Sequence, residues 1–156
     1  MKTPTWKSLR NFMHKTTQLK FRTDAIYKFL KKCPKEYRPA LACALSVAHW
    51  SPKEWDILYK TNHIFWSECG MCIHYRMKVA ENKGIDDFEL EQVNGNAACL
   101  LCPFKKCSSL WHQVAGSISE WHGQSGFDLA AEKMYNALVA LYEKEYEKAV
   151  EIYEKE

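Results

Sequence analysis

The chain has 156 residues, of which 47% are hydrophobic and 13% aromatic; that is enough apolar surface for one packed domain, which excludes a disordered chain and an obligatory disulfide scaffold. The net charge of +3 hides a gradient: residues 1–40 hold eleven Lys and Arg against two acids, whereas residues 127–156 hold four against eight. The longest apolar stretch, Ala40 to Ala48 around Ser46, is about half a membrane span, and the first 30 residues lack the apolar centre of a secretory signal, so a membrane-free, cytoplasmic protein is expected.

The pattern predicts a mainly α fold in a single domain, with a basic helical region (1–40) packed on or projecting from a helical core (41–156). Thr3-Pro4 is an N-cap followed by Pro at the first helical position, which starts a helix reaching about residue 19. Thr23-Asp24 opens a second helix that Pro34 stops after Cys33. Pro39 to Trp50, rich in Ala and Leu, is a buried helix. Ser51-Pro52-Lys53-Glu54 signals a capping box and a helix to about Lys60. Gly70 to Lys83 forms the next helix, with Gly84 placed to end it. Residues 85–97 are polar, Asn94-Gly95-Asn96 marks a turn, and a short β-hairpin near 88–100 is a candidate. Ser108 to Trp121 forms a helix that Gly123 stops. The last helix starts at Ser125 with an apolar stripe of Leu129, Met134, Leu138, Leu141, Tyr142, Val150 and Tyr153, and its charged end from Glu143 is expected to fray or project. That stripe either packs inward or pairs with a second copy as a homodimer.

Five of the seven cysteines carry the strongest chemical signal. Cys69-Gly-Met-Cys72 precedes Cys99-Leu-Leu-Cys102-Pro-Phe-Lys-Lys-Cys107, with 26 residues between the pairs. Two residues between cysteines let both thiolates reach one ion from a single turn, and two such turns supply the four sulfurs of a tetrahedral Zn2+ site. Two sets compete: Cys69, Cys72, Cys99 and Cys102, or Cys69, Cys72, Cys102 and Cys107 with Cys99 packed nearby. Lys105 and Lys106 would offset part of the thiolate charge. His74 and His112 are substitutes, each better explained as a surface or satisfied core histidine, and Cys33 and Cys43 fit core positions. A [4Fe-4S] cluster is the alternative cofactor, since it also takes four thiolates and Cys102-Pro103 is similar to cluster-binding runs.

Enzyme signatures are missing. There is no H-E-x-x-H, no P-loop, no G-x-S-x-G and no G-x-G-x-x-G. A zinc deaminase needs H-x-E and P-C-x-x-C, and here Pro103 follows its pair. A thiol oxidoreductase places C-x-x-C in a βαβ setting, whereas the surroundings of Cys69 are helical. The acids Asp86, Asp87, Glu89 and Glu91 fit a solvated turn.

The order A-L-S-V-A-H-W (44–50), C-G-M-C (69–72), C-L-L-C-P-F-K-K-C (99–107) and an aromatic helical tail resembles a group of uncharacterised small phage and prophage-type proteins. Their pattern runs C-x-L-C, C-x-x-C-P, a further Cys, then a Trp- or Tyr-bearing helix. The likeness spans about residues 41–142. This chain departs from it at Met71, where Leu is expected, and in the long gap between the pairs. The resemblance implies a metal-binding fold and a viral or mobile-element origin, and no activity.

The sequence therefore predicts a small zinc-binding accessory or regulatory protein, without catalytic residues, that binds host or viral protein or nucleic-acid machinery. Inhibition of host defence falls within this expectation, with the host cell interior as its place. One alternative is an iron–sulfur protein with a redox-sensing or enzymatic role. Another is a salt-sensitive nucleic-acid binder using Lys7, Arg10, Lys15, Lys20, Arg22, Lys28, Lys31 and Lys32, among which aromatic residues are interleaved.

Overall fold

The computed structural model describes residues 23–61, 69–84, 93–119 and 123–155. Among these the fold is mainly α, with no strand. The helices are α1 (Thr23–Lys32), α2 (Arg38–His49), α3 (Trp55–Thr61), α4 (Gly70–Asn82), α5 (Gly95–Leu101), α6 (Cys107–Ser119) and α7 (Gly123–Lys155), with 3-10 turns at Lys35–Tyr37 and Pro52–Glu54. The helix expected over residues 3–19 lies outside the described residues, as do Lys7, Arg10, Lys15, Lys20, Arg22 and the acids of 86–91.

The centre is a three-helix contact in which α2 packs against both α4 and α7. Its composition explains this: Ala40, Leu41, Ala42, Cys43, Ala44, Leu45, Ser46 and Ala48 are all buried, so small side chains face neighbours around most of the helix and let backbones approach. α7 is 33 residues long, or about 50 Å at 1.5 Å per residue. It lies along α2, α3 and α6. Its buried residues Phe127, Ala131, Met134, Leu138, Glu145 and Ala149 follow helical spacing down one face. Ile26 and Leu30 of α1, together with Tyr37, belong to the same apolar cluster.

Arg38 ties three helices together. Its guanidinium donates to the carbonyls of Lys31 (3.1 Å) and Cys33 (3.2 Å) at the end of α1, and pairs with Glu81 of α4 at 2.9 Å. It thus satisfies carbonyls that the end of a helix leaves unpaired, which explains an arginine in the core.

Four expectations are corrected. Residues 95–101 form helix α5 and not a hairpin, because Asn94 acts as an N-cap: its side chain accepts from Asn96 N (2.9 Å) and Ala97 N (3.3 Å). The capping box at Ser51 does not form; Ser51 Oγ donates to Ala48 O at 2.8 Å, and a 3-10 turn leads into α3. Leu129 is 65% exposed and stands off the buried stripe, which runs through Phe127 and Ala131. The charged end of α7 stays helical to Lys155, with Ala149 still buried.

Candidate metal centre

α4 begins where glycine is required. A Cβ on Gly70 would lie 2.5 Å from the Ala42 carbonyl oxygen and 2.7 Å from Leu45 Cβ. Only glycine lets the first turn of α4 rest directly on α2. The contact fixes Cys69, the N-cap of α4 with extended backbone, beside Ser46 of α2. Ser46 is fully buried. Its Oγ accepts from Met71 N at 3.1 Å and lies 3.3 Å from Cys69 Sγ. With the amide donating to that oxygen, the Ser46 hydroxyl hydrogen is free to point at the sulfur.

Cys72, in the first turn of α4, adds two donors. Its thiol and its backbone N–H both bond the Cys69 sulfur. The Cys72 thiol, the Ser46 hydroxyl, the Cys72 N–H and the nearby His49, in that order of strength, outweigh burial and pull Cys69 down to about 6. Cys72 moves the opposite way. Giving its hydrogen to Cys69 raises it most, burial adds to this, and the charges of Cys69, Cys107 and Cys102 raise it further.

The other thiols come from the α5–α6 connection. Cys102 ends α5, its N–H bonded to Ala98 O at 3.0 Å. Cys107 opens α6, with its N–H on Phe104 O at 3.3 Å. Between them Phe104 is buried and pins the loop to the core, and Lys105 Nζ donates to Leu100 O at 3.0 Å. Burial pushes Cys102 up to about 11, against the Phe104 N–H and Lys105, with Cys69 and Cys99 adding to the rise. Burial likewise pushes Cys107 up to about 12, followed by Cys69, Cys102 and Cys99.

Cys69, Cys72, Cys102 and Cys107 therefore resist one another's negative charge, and Cys99 and the core thiol Cys43 take part in the same coupling. A divalent cation is what reverses that balance. Cys99 sits on the outer side of α5 and is exposed. Among the described residues, no three His, Cys, Asp or Glu side chains converge tightly enough to hold an ion as they stand. The four sulfurs feel one another's charge but are not gathered around a common point.

The histidines stay apart from this set. His74 is buried, yet neither ring nitrogen has a hydrogen-bond partner. This corrects the expectation of a surface or satisfied position. Burial, then the positive charges of Arg38 and Lys78, push it down to about 4. His112 is exposed and meets Trp111 edge-on, with ring centroids 5.5 Å apart. Cys43 is fully buried on the α2–α7 contact, its thiol 3.6 Å from Leu138 O. Cys33 donates to Phe29 O at 3.1 Å.

Of the basic residues named from sequence, Lys28, Lys31 and Lys32 are exposed on α1, and Lys31 Nζ lies 5.5 Å from the Tyr27 ring centre. Sequence reasoning missed two residues that shape the site. Ser46 had a usable signal, a hydroxyl inside an otherwise apolar buried helix. Gly70 also had one, a glycine between an N-cap and an apolar first turn. Comparison with protein-family models, curated proteins and solved structures finds no match to this chain. No helix among the described residues is long and apolar enough to cross a membrane.

Proposed function

We propose that Cys69, Cys72, Cys102 and Cys107 bind one Zn2+ ion, and that the ion clamps the start of α4 to the α5–α6 connection in a protein that works by binding a partner. One observation carries this: two segments separated by a stretch of 29 residues, 73–101, bring four thiols within reach of one another's charge. Zinc prefers four thiolates at about 2.3 Å in a closed tetrahedral site. Binding would draw the Cys102 and Cys107 side chains inward and release the protons that burial now holds on them. A closed site has no open position for substrate, which favours a structural role over hydrolysis. The resemblance to phage and prophage-type proteins supports a viral or mobile-element setting, with host or viral protein as the partner.

The test is metal and sulfide content of protein purified without oxygen. One zinc per chain and no colour is expected. Cys→Ser at any of the four positions should lower occupancy, while Cys99→Ser should leave it intact. Iron with sulfide and a brown absorbance would replace zinc by a [4Fe-4S] cluster. Metal-free protein would overturn the proposal.

A second reading concerns α1. Lys28, Lys31 and Lys32 stand exposed at positions i, i+3 and i+4, a spacing that places them on one helix face, in the region of greatest positive charge. This favours contact with nucleic-acid phosphates. Each phosphate contact removed should flatten the slope of log K against log salt by about 0.9 on duplex DNA. Changing all three lysines to Glu should therefore flatten it measurably. Binding that is absent at low salt, or a slope the variant leaves unchanged, would rule the surface out.

A further inference from the structure

We propose that this chain pairs with a second copy of itself, the exposed leucines at the end of α5 in each copy packing on a tyrosine-bearing ridge of the other copy's α7, with Lys105 and Lys106 set against the acids beside that ridge. The pairing does not depend on the metal. α5 carries its apolar residues the wrong way round for folding alone. Its small residues Ala97 and Ala98 pack towards the core, Ala98 being buried, while Leu100 is 79% and Leu101 41% exposed. A helix of seven residues needs tertiary support, and its two largest apolar side chains give it little. Beside them stand two cations. Lys105 Nζ donates to Leu100 O at 3.0 Å, which holds its charge next to the leucines, and Lys106 is exposed. Residues 93–119 contain no acid, and among the described residues neither lysine pairs with one. An apolar patch edged with unopposed positive charge fits a partner surface that is apolar and acidic.

The molecule carries such a surface itself. The stripe of α7 through Met134 and Leu138 is buried, so it is not the face that pairs. Outside that stripe, Tyr135, Val139, Tyr142 and Tyr146 are partly exposed and fall at i, i+4, i+7 and i+11, which places them on one ridge of the helix. Next to it runs a ridge of exposed acids, Glu132, Glu143 and Glu147. Each is followed at once by a lysine, which the helix turns about 100° away, and one of these, Lys148, faces Glu145 at 3.4 Å. The two surfaces are placed to be exchanged. α6 and α7 pack along one another and only residues 120–122 separate them, so they form a helical hairpin. The start of α6, just after Lys106, therefore lies beside the middle of α7. Two such contacts related by a two-fold axis close on themselves, each copy offering its leucines and lysines to the other's ridge. Doubling the contact brings a small patch towards the area that a stable pair needs.

Sedimentation velocity of the full-length protein over a range of concentrations, at low and at high salt, tests this. The expected species is a dimer at twice the chain mass that dissociates on dilution, and more readily at high salt. Leu100→Asp should raise its dissociation constant about tenfold or more, because a carboxylate would be buried against the tyrosines. Charge reversal gives the sharper result. Lys105→Glu with Lys106→Glu, and separately Glu143→Lys with Glu147→Lys, should each give a monomer, since like charges then meet at both contacts. Mixed in equal amounts, the two variants should form a heterodimer, because both contacts are again opposite in charge; a misfolded variant would not be rescued in this way. A strict monomer of the unaltered protein at high concentration, or an open series of larger species, would overturn the proposal. So would reversed variants that dimerise as before, or that fail to pair when mixed although their helical circular dichroism is native. Zinc content measured on the same samples decides the metal proposal separately.

Discussion

The two halves of the thiol cluster rest on very different ground. Cys69 and Cys72 belong to α4, which lies on α2 across a glycine contact and shares a core with α7. Cys102 and Cys107 belong to residues 93–107, where Ala98 and Phe104 are the buried apolar anchors and Leu100 is 79% exposed. α5 has seven residues, too few to be stable without tertiary support. It is held by the Asn94 cap and by Arg76 Nη1, which donates to Val93 O at 2.9 Å. One half is therefore fixed by extensive packing, and the other by two buried apolar anchors and a few polar contacts. A metal would add most to the weaker half.

The largest effect that sharpens this contrast is metal removal. At a free zinc level 1,000 times the dissociation constant, binding contributes about 4 kcal/mol, so a chelator should lower the unfolding midpoint accordingly. An unchanged midpoint in zinc-loaded protein would show that the ion does not bridge the halves.

Acid acts next, and on the stronger half. His74 is buried on α4 without hydrogen-bond partners and has a folded value of about 4 against an ordinary value near 6.5. Between these values the unfolded chain takes a proton that the folded chain refuses. Stability is therefore lost as pH falls through that window, by about 3 kcal/mol in all. Urea unfolding of metal-free protein at pH 7 and at pH 4 should show the loss. His74→Leu should remove most of it and cost little at pH 7, because it deletes two unpaired polar atoms.

Gly70→Ala strikes the contact that positions Cys69. The added carbon meets a backbone oxygen that cannot swing away, and such overpacking costs about 1–3 kcal/mol. Thermal unfolding should show this loss, together with weaker zinc binding. A neutral Gly70→Ala would mean that the close approach of α2 and α4 is not needed. Asn94→Ala, in the weaker half, removes an N-cap worth about 1 kcal/mol. Its effect should be confined to residues 93–107 when amide exchange is followed.

Most helices were legible because their ends are marked. Pro34, Pro39 and Gly84 delimit elements that the structure contains. The Asn94-Gly95 pair misled because it serves equally as a hairpin turn and as a helix cap. The choice is made by Ala97 to Leu101, which form a short helix packed on α4. Leu129 misled because a helix with a broad apolar face has more than one plausible stripe, and Phe127 places the buried one. Glu145 sits on that stripe with Lys148 Nζ 3.4 Å away, so the acid-rich end remains packed where charge suggested fraying. Spacing named five cysteines. That Cys99 is exposed while Cys102 and Cys107 are half-buried follows from helix α5, where the sequence suggested a turn.

The most direct test is amide hydrogen exchange on the full chain, with zinc and after chelation. The account predicts that chelation raises exchange over residues 93–107 and around Cys69 and Cys72, while α2 and the α7 segment packed on it stay protected. Equal exchange in both states, or a rise spread evenly over the molecule, would contradict a metal clamp between the two halves.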